Sequence, residues 1–215
     1  MSNRGTLNVF RGVSAAAVCG RLAELAPGMP PLVPSAGYEA RRVEWRIDVA
    51  ASDMVAVVNQ PLYSSGVPVL IAACAAAFGC PWMALDMVEG DHWNYRLYKG
   101  GEFLHSFSTF PEYWSRDLRD AHRDKGDAQQ LASLWGVPVD RVAPYLRNWG
   151  ERPDGRVAAR VKLRGKARPD DEFPYGEMYQ ILDFLRALGS PPMGAPEDWT
   201  SVTVNVPDLV YVPAQ

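Results

Sequence analysis

The stretch WMALDMVEGDHWNYRLYKGGEFLHSF, residues 82–107, is the part of the chain around which we expect the rest to be organised. Its runs of Trp, Tyr, Phe, Leu and Val suit a pleated, half-buried surface. Two dipeptides, Gly90-Asp91 and Gly100-Gly101, interrupt these runs, and glycine reaches a positive φ at little steric cost. The stretch therefore predicts three short antiparallel strands joined by two tight turns.

Two-residue turns at these dipeptides would fix which residues face each other across the strands. The second turn would place Arg96 opposite His105, and the first would place Asp86 opposite Tyr95. One face would carry Trp93, Tyr95, Leu97, Leu104 and Ser106, and the other Asn94, Arg96, Tyr98, Phe103, His105 and Phe107. Because both faces are aromatic, we expect both to be at least partly covered, one by helices and the other by later chain or by a partner.

Length and composition indicate a globular protein with one large domain or two small ones. The chain has 215 residues, of which 47% are hydrophobic and 22% charged, and its net charge is -3. An acidic chain is not typical of a dedicated nucleic-acid binder, so we expect no nucleic-acid partner. The N-terminus has no apolar signal core, and the most apolar run, 67–79, is too short to span a bilayer. We therefore expect a cytoplasmic protein with no membrane partner.

The cysteines and the standard motifs give no sign of a cofactor. Cys19, Cys74 and Cys80 are too few and too scattered for a disulfide framework, and they lack the close spacing of a zinc site. We expect them to be reduced thiols in the core. The sequence contains no P-loop, G-x-G-x-x-G, G-x-S-x-G, H-E-x-x-H or C-x-x-C motif. We therefore predict no metal and no cofactor.

The first half predicts the order β-α-β-β-α-β followed by two more strands. Strands are expected at 7–13, 42–49 and 54–58, and helices at 15–26 and 67–78. The three strands predicted within residues 82–107, which we call the meander, follow them. In 42–49, apolar residues alternate with charged ones, as in a strand with one dry face. This order predicts an α+β, two-layer sandwich with a ferredoxin-like βαββαβ core extended by a β-meander, with additional C-terminal helices. Another two-layer sandwich with the same order is the alternative.

The second half is predicted to add helices to this sheet. Helices are expected at 127–135, 139–149 and 175–188, and edge strands at 202–206 and 209–212. In the helix at 175–188, apolar residues recur at the spacing of one helix face. We therefore divide the chain into an α+β sheet domain, 1–108, and a helical and irregular C-terminal part, 109–215, that packs on it as one body.

Two segments of the second half resemble motifs that bind nucleic acid or anions. Residues 130–146, QLASLWGVPVDRVAPYL, have the layout of a helix-turn-helix, but Pro144 would interrupt the recognition helix and phosphate-binding charge is lacking. We interpret this segment as a structural helix pair. The basic run consists of Arg156, Arg160, Lys162, Arg164, Lys166 and Arg168. Because acids follow at 170–172, both a self-paired loop and a loop that binds an anion or an acidic partner fit this pattern.

Polar side chains on the meander are the candidate catalytic residues. Asp86 and His105 form the pair to consider, because a carboxylate and a histidine can exchange protons or hold a metal. Tyr95 and Arg96 would complete a pocket between the sheet and the C-terminal helices. The alternative function is therefore an enzyme or a small-ligand-binding protein with its pocket at this place.

Residues 95–102, YRLYKGGE, and 107–114, FSTFPEYW, resemble a segment of uncharacterised, mostly bacterial proteins. In those proteins a strand ending in Leu-Tyr leads to a Gly-Glu turn and then to an aromatic-Ser-x-x-Pro-x-Tyr-aromatic exit. No activity is established for those proteins, so the resemblance implies no catalytic residue. On physical grounds, Pro111 would end the sheet, and Tyr113 and Trp114 would fold back over its edge.

These patterns favour a non-catalytic protein-interaction module of bacterial type, with an immunity-like or regulatory role. It would bind a protein partner, or a second copy of itself, through an aromatic sheet face or edge. The seven tryptophans of an acidic chain and the aromatic residues on both meander faces motivate this prediction. The expected binding residues are Trp93, Tyr95, Arg96, Tyr98, Tyr113 and Trp114.

Overall fold

The computed structural model describes residues 5–34, 36–52, 55–61, 64–88, 92–111, 124–151, 160–161, 163–190 and 199–212. The strands are β1 (Gly5–Arg11), β2 (Tyr38–Ala51), β3 (Val55–Gln60), β4 (Pro81–Val88), β5 (His92–Lys99), β6 (Glu102–Ser108), β7 (Gly150–Glu151), β8 (Arg160–Val161) and β9 (Thr200–Tyr211). The α-helices are α1 (Ala15–Leu25), α2 (Gly66–Phe78), α3 (Ala128–Trp135), α4 (Val139–Val142) and α5 (Gln180–Ala187). The described chain is therefore a mixed α+β protein, with strands and helices in the predicted order through β6.

Seven of the strands form one antiparallel sheet in the order β6-β5-β4-β1-β3-β2-β9, and β7 pairs with β8. The central strand is β1, whose Val9 lies opposite Val57 of β3 on one side and Met83 of β4 on the other. The last strand, β9, pairs with β2 from Val49 to Tyr38. Every pairing in the large sheet is antiparallel.

Helices cover both faces of the sheet. On one face α1 and α2 pack on the sheet, and Leu22, Ile47 and Leu70 are fully buried there. On the other face the C-terminal helices cover the β4–β6 side, where Trp93 and Phe184 are fully buried. The C-terminal helices thus form a second helical layer, so the two-layer description accounts only for the sheet with α1 and α2.

Local sequence explains where the first two helices begin and end. The Ser14 hydroxyl accepts a hydrogen bond from the Ala17 N–H at 3.2 Å, which caps α1. The Ser64 hydroxyl accepts one from Val67 at 3.0 Å at the start of α2. Gly79 ends α2 with φ +64°, a conformation that glycine adopts without a Cβ penalty.

The C-terminal elements differ from the prediction at their boundaries. Helix α4 stops at Val142 and continues as a 3-10 turn, because a proline at 144 has no N–H for the helical ladder. Helix α5 begins at Gln180 rather than 175, because the Tyr175 N–H donates to Gly165 in the preceding loop. The two predicted edge strands are one strand, β9, which tolerates Pro207 because it lies at the sheet edge.

The register of the meander corrects two predicted pairings. A β-bulge between β5 and β6 places Leu97 opposite His105 and Arg96 opposite Ser106, so the predicted Arg96–His105 pair is wrong. The bulge turns His105 and Phe107 to the face that carries Tyr95. Three residues, rather than two, separate Val88 from His92, so Asp86 lies opposite Asn94 and not opposite Tyr95.

Candidate functional site

The four polar residues predicted to line a pocket lie on opposite faces of the sheet. Asp86 and Arg96 share the face on which α1 and α2 pack, and their side chains form an ion pair at 3.0 Å. Thr6 also donates to Asp86 at 2.8 Å. Tyr95 and His105 lie on the other face. The predicted convergence of these four side chains is therefore wrong.

Tyr95 and His105 do meet beneath the C-terminal layer. Their rings contact edge to face with centroids 5.6 Å apart, and the Tyr95 side chain is fully buried. In the described part of the chain, the Tyr95 hydroxyl and both His105 ring nitrogens have no hydrogen-bond partner. Burial lowers the pKa of His105, and the carboxylate of Asp127 opposes this effect. Burial also raises the pKa of Tyr95, so both groups are neutral near pH 7.

The predicted binding residues differ in how deeply the structure buries them. Trp93 and Tyr95 are fully buried within the chain, where both stack on Phe184 at 5.0 and 5.9 Å. Both residues therefore belong to the core of the described chain. The Arg96 side chain is half-exposed and Tyr98 is partly buried. Tyr113 and Trp114 lie outside the described residues.

Where the structure describes the basic run, most of its side chains contact nearby acidic residues of the same chain. The Lys166 ammonium donates to the Asp171 carbonyl at 2.6 Å, and Arg168 pairs with Asp170 at 3.3 Å. The side chains at 156, 160 and 162 lie outside the described residues. The described contacts agree with the self-paired alternative for this part of the run.

Three other places were candidates for a ligand site. Within the described residues, no group of three or more His, Cys, Asp or Glu side chains is arranged to hold a metal ion. A shallow concavity beside β2 contains Arg42, but its guanidinium donates to the carbonyls of 26, 27, 29 and 205 at 2.8–3.3 Å. In the 130–146 segment, Ala132 and Val142 are buried in the core, as expected of a structural helix pair.

A ladder of aromatic rings crosses four strands on the α2 side of the sheet. Phe10 stacks on Trp82 at 6.2 Å, and Trp82 stacks on Tyr98 at 4.5 Å. Phe103 contacts Tyr98 edge to face at 5.6 Å and ends the ladder with 53% of its surface exposed. The ladder thus begins in the core and opens to solvent at the β5–β6 hairpin.

Helix α2 continues this exposed region. Its sequence, GVPVLIAACAAAF, contains no polar side chain in 13 residues. Leu70, Ile71 and Cys74 face the core and are fully buried, whereas Val69 on the outer side is 45% exposed. Helices that are apolar all round are normally buried, so the outer side of α2 is unusual for a free surface.

The outer side of α2 and the end of the ladder adjoin each other. A Cβ placed on Gly101 in the hairpin turn would lie 3.7 Å from the Ala76 Cβ. We call the combined region the apolar surface. It consists of Val69, Ala73, Ala76, Ala77, Tyr98 and Phe103. The sequence signal for it was the apolar run 67–79, which gave no indication that one side of the helix is exposed.

Both edges of the large sheet are partly blocked. At β6, the Ser108 N–H donates to Asp124 at 2.9 Å and the Gly126 N–H donates to Ser106 at 2.8 Å. At β9, Pro207 has no N–H, and the Leu209 N–H donates to its neighbour's carboxylate, Asp208, at 2.8 Å. These contacts shorten the length of free edge that another strand could use.

Comparisons with known proteins supply no relative from which a site could be transferred. No family model, curated protein or solved structure matches this chain. In the part of the chain that the structure describes, no helix combines the length and apolar content needed to cross a bilayer. The candidate site therefore rests on the side chains themselves.

Proposed function

We propose that the chain is a non-catalytic protein-interaction module whose partner packs on the apolar surface. The observation that carries this proposal is the exposed outer side of α2, a helix with no polar side chain in 13 residues. Removing one Val or Phe side chain from water contributes roughly 1.5–3 kcal/mol. Val69 and Phe103 are each about half exposed, so covering both would stabilise a complex about as much as burying one such side chain fully.

The small residues of α2 favour a helix as the partner element. Ala73, Ala76 and Ala77 project only a methyl group, so a second helix could approach the α2 backbone closely. Tyr98 and Phe103 would stand beside such a helix as aromatic anchors, the residue class enriched in interfaces. Immunity and regulatory proteins bind one protein partner without catalysing a reaction, and we propose a role of this kind for the chain.

The rest of the sheet offers less to a partner. The aromatic face with Trp93 and Tyr95 is covered by the chain's own C-terminal helices. Strand addition at the edges is restricted by residues 124–126 at β6 and by Pro207 at β9. Docking on the apolar surface therefore fits the described surface better than docking on the sheet face or edge.

A second candidate function is favoured by a different observation. Several buried polar atoms without hydrogen-bond partners in the described chain belong to residues of the sheet face that the C-terminal helices cover, or to those C-terminal segments. They belong to Trp93, Tyr95, His105, Trp135, Trp149 and Gln180. A small ligand that hydrogen-bonds to several of these groups would supply the partners that they lack in the described chain.

Native mass spectrometry of the chain, purified gently from its own host, distinguishes the two candidates. Our proposal predicts a second protein bound to the chain. A bound small molecule on an otherwise single chain would instead support the ligand site, and Tyr95→Phe should then weaken that binding. A bare single chain at every concentration tested would contradict the interaction module.

Two features of the architecture are also proposals. We infer a ferredoxin-like core for the first six elements, since α1 joins two strands separated by β3 and α2 joins two strands separated by β1. We also infer that 1–108 and 109–215 fold as one body, since Trp93 of the first part stacks on Phe184 of the second. A single calorimetric transition would agree with one body, and two separate transitions would contradict it.

A further inference from the structure

Residues 124–127, which we call the strap, close the outer edge of β6. Two backbone hydrogen bonds hold the strap, from Ser108 to Asp124 at 2.9 Å and from Gly126 to Ser106 at 2.8 Å. The Ser106 hydroxyl also donates to the Asp124 carboxylate at 2.5 Å. At the other end of the strap, Asp127 caps α3 by accepting from the Gln130 N–H at 2.9 Å.

Tyr95 lies directly against the strap, and His105 lies on β6, which pairs with the strap at Phe107 and Lys125. A Cβ added to Gly126 would come within 2.8 Å of the Tyr95 hydroxyl, and Gly126 has φ +68°, so only glycine fits there. The Tyr95 ring contacts His105 edge to face, and neither His105 nitrogen has a partner in the described chain. The strap therefore lies beside an imidazole whose two nitrogens are buried and meet no hydrogen-bond partner in the described chain.

The charged groups around His105 act in opposite directions. Burial disfavours the imidazolium and lowers the pKa of His105. The Asp127 carboxylate favours the imidazolium, and the polar backbone at Ser106 acts in the same direction. Tyr95 is neutral and offers only its ring, while Asp124 is already engaged by Ser106. Burial is the largest of these effects, so the folded surroundings of His105 oppose its protonation. The strap is part of those surroundings, because Lys125 pairs with Phe107 two residues from His105.

We propose that the strap is an acid-sensitive cover, which protonation of His105 releases from β6. Release would free the outward backbone groups of Ser106 and Ser108 for pairing with another strand. The cover would thus keep this sheet edge blocked at neutral pH and expose it in acid. The acid-sensitive cover is independent of the apolar surface, which lies on the other side of the sheet.

The direction of the pH effect follows from linkage. Once the strap is open, His105 is solvated and has an ordinary histidine pKa of about 6.5. When the strap is closed, the pKa is lower. The ratio of closed to open strap should therefore fall by up to about tenfold per pH unit below pH 6.5, until the pKa of the closed state is reached.

Amide hydrogen exchange measured by NMR between pH 7.5 and 5 tests this proposal. Protection of the Gly126 and Ser108 amides, corrected for intrinsic exchange, should fall severalfold in the wild type and stay constant in His105→Phe. The Val18 amide, which donates to Ser14 in α1 on the other face, should keep its protection. Equal losses in wild type and variant, or a parallel loss at Val18, would overturn the proposal.

A second variant keeps the test decisive if His105→Phe does not fold. Asp127→Asn retains a good N-cap and removes the charge that favours the imidazolium. It should lower the pKa of His105 further, so protection at Gly126 and Ser108 should fall by a larger factor at pH 5 than in the wild type. An equal or smaller fall, or an NMR titration showing an unshifted His105, would contradict the acid-sensitive cover.

Discussion

The indole N–H of Trp45 donates a 2.7 Å hydrogen bond to the carboxylate of Asp208, which ties β2 to the outermost strand, β9. The same carboxylate accepts from the Ser64 hydroxyl and from the Ser65 backbone N–H, both at 2.7 Å. Ser64 in turn caps α2. One buried carboxylate therefore fixes the sheet edge to the start of the helix that carries the apolar surface.

Removal of this carboxylate should destabilise the fold. Asp208→Ala leaves the Trp45 indole and the Ser64 hydroxyl buried without their acceptor, which should lower the free energy of unfolding by about 2–4 kcal/mol. Urea denaturation followed by tryptophan fluorescence measures this loss. Asp170→Ala, at an exposed carboxylate, should leave stability nearly unchanged, and equal losses in the two variants would contradict the role of Asp208.

The same carboxylate should make stability depend on pH in acid. Burial by itself would raise the pKa of Asp208, but hydrogen bonds from Ser64, Ser65, Leu209 and Trp45 outweigh it and hold the pKa below its usual value. Its stabilisation is therefore complete above the ordinary aspartate pKa of about 3.9 and is lost as the pH falls through the lowered pKa. Unfolding free energies from pH 7 to 2.5 should converge for wild type and Asp208→Asn. A constant difference between the two would contradict this account.

A pair of glycine substitutions tests how closely α2 approaches β9. A Cβ at Gly66 would lie 1.9 Å from the carbonyl oxygen of Pro207, so Gly66→Ala should lower the free energy of unfolding by more than about 2 kcal/mol. Gly20, in the interior of α1, has nothing within 4 Å of such a Cβ. Gly20→Ala should stabilise the protein by up to about 1 kcal/mol. Thermal unfolding of both variants measures the difference between their stability changes. Equal changes would mean that α2 can shift away from β9 to make room for the added methyl group.

The elements could be predicted because their signals are local. The alternation at Val43, Trp45, Ile47 and Val49 predicted β2, and glycine at 79 marked the end of α2. Periodicity and caps act within a few residues, so one sequence is enough to find them. The seven-stranded sheet order depends on contacts between distant segments such as β2 and β9, which no local pattern encodes.

The candidate site was harder to predict, for two physical reasons. One extra residue in β6 forms a bulge, and a single shift in register moves His105 and Phe107 to the opposite face. The apolar run of α2 predicts burial on every side, so its exposed outer side could be found only from the packed structure. The predicted anchors Trp93 and Tyr95 lie in the core, since aromatic residues suit cores as well as interfaces.

The most direct test of the interaction module compares three variants that differ only at exposed positions. Ala76→Lys places a charge in the last turn of α2, where the helix dipole tolerates it, and Phe103→Ser removes the end of the aromatic ladder. Ala23→Lys places the same charge at an exposed alanine in the last turn of α1 and is the matched control.

The measurement is the amount of protein that co-purifies with each chain from its own host, quantified by native mass spectrometry. We predict that the wild type and Ala23→Lys retain the same bound protein, and that Ala76→Lys and Phe103→Ser lose it by tenfold or more while staying folded, since about 1.4 kcal/mol of lost binding energy is one factor of ten. Equal recovery of that protein with all four chains would contradict the apolar surface as the docking site.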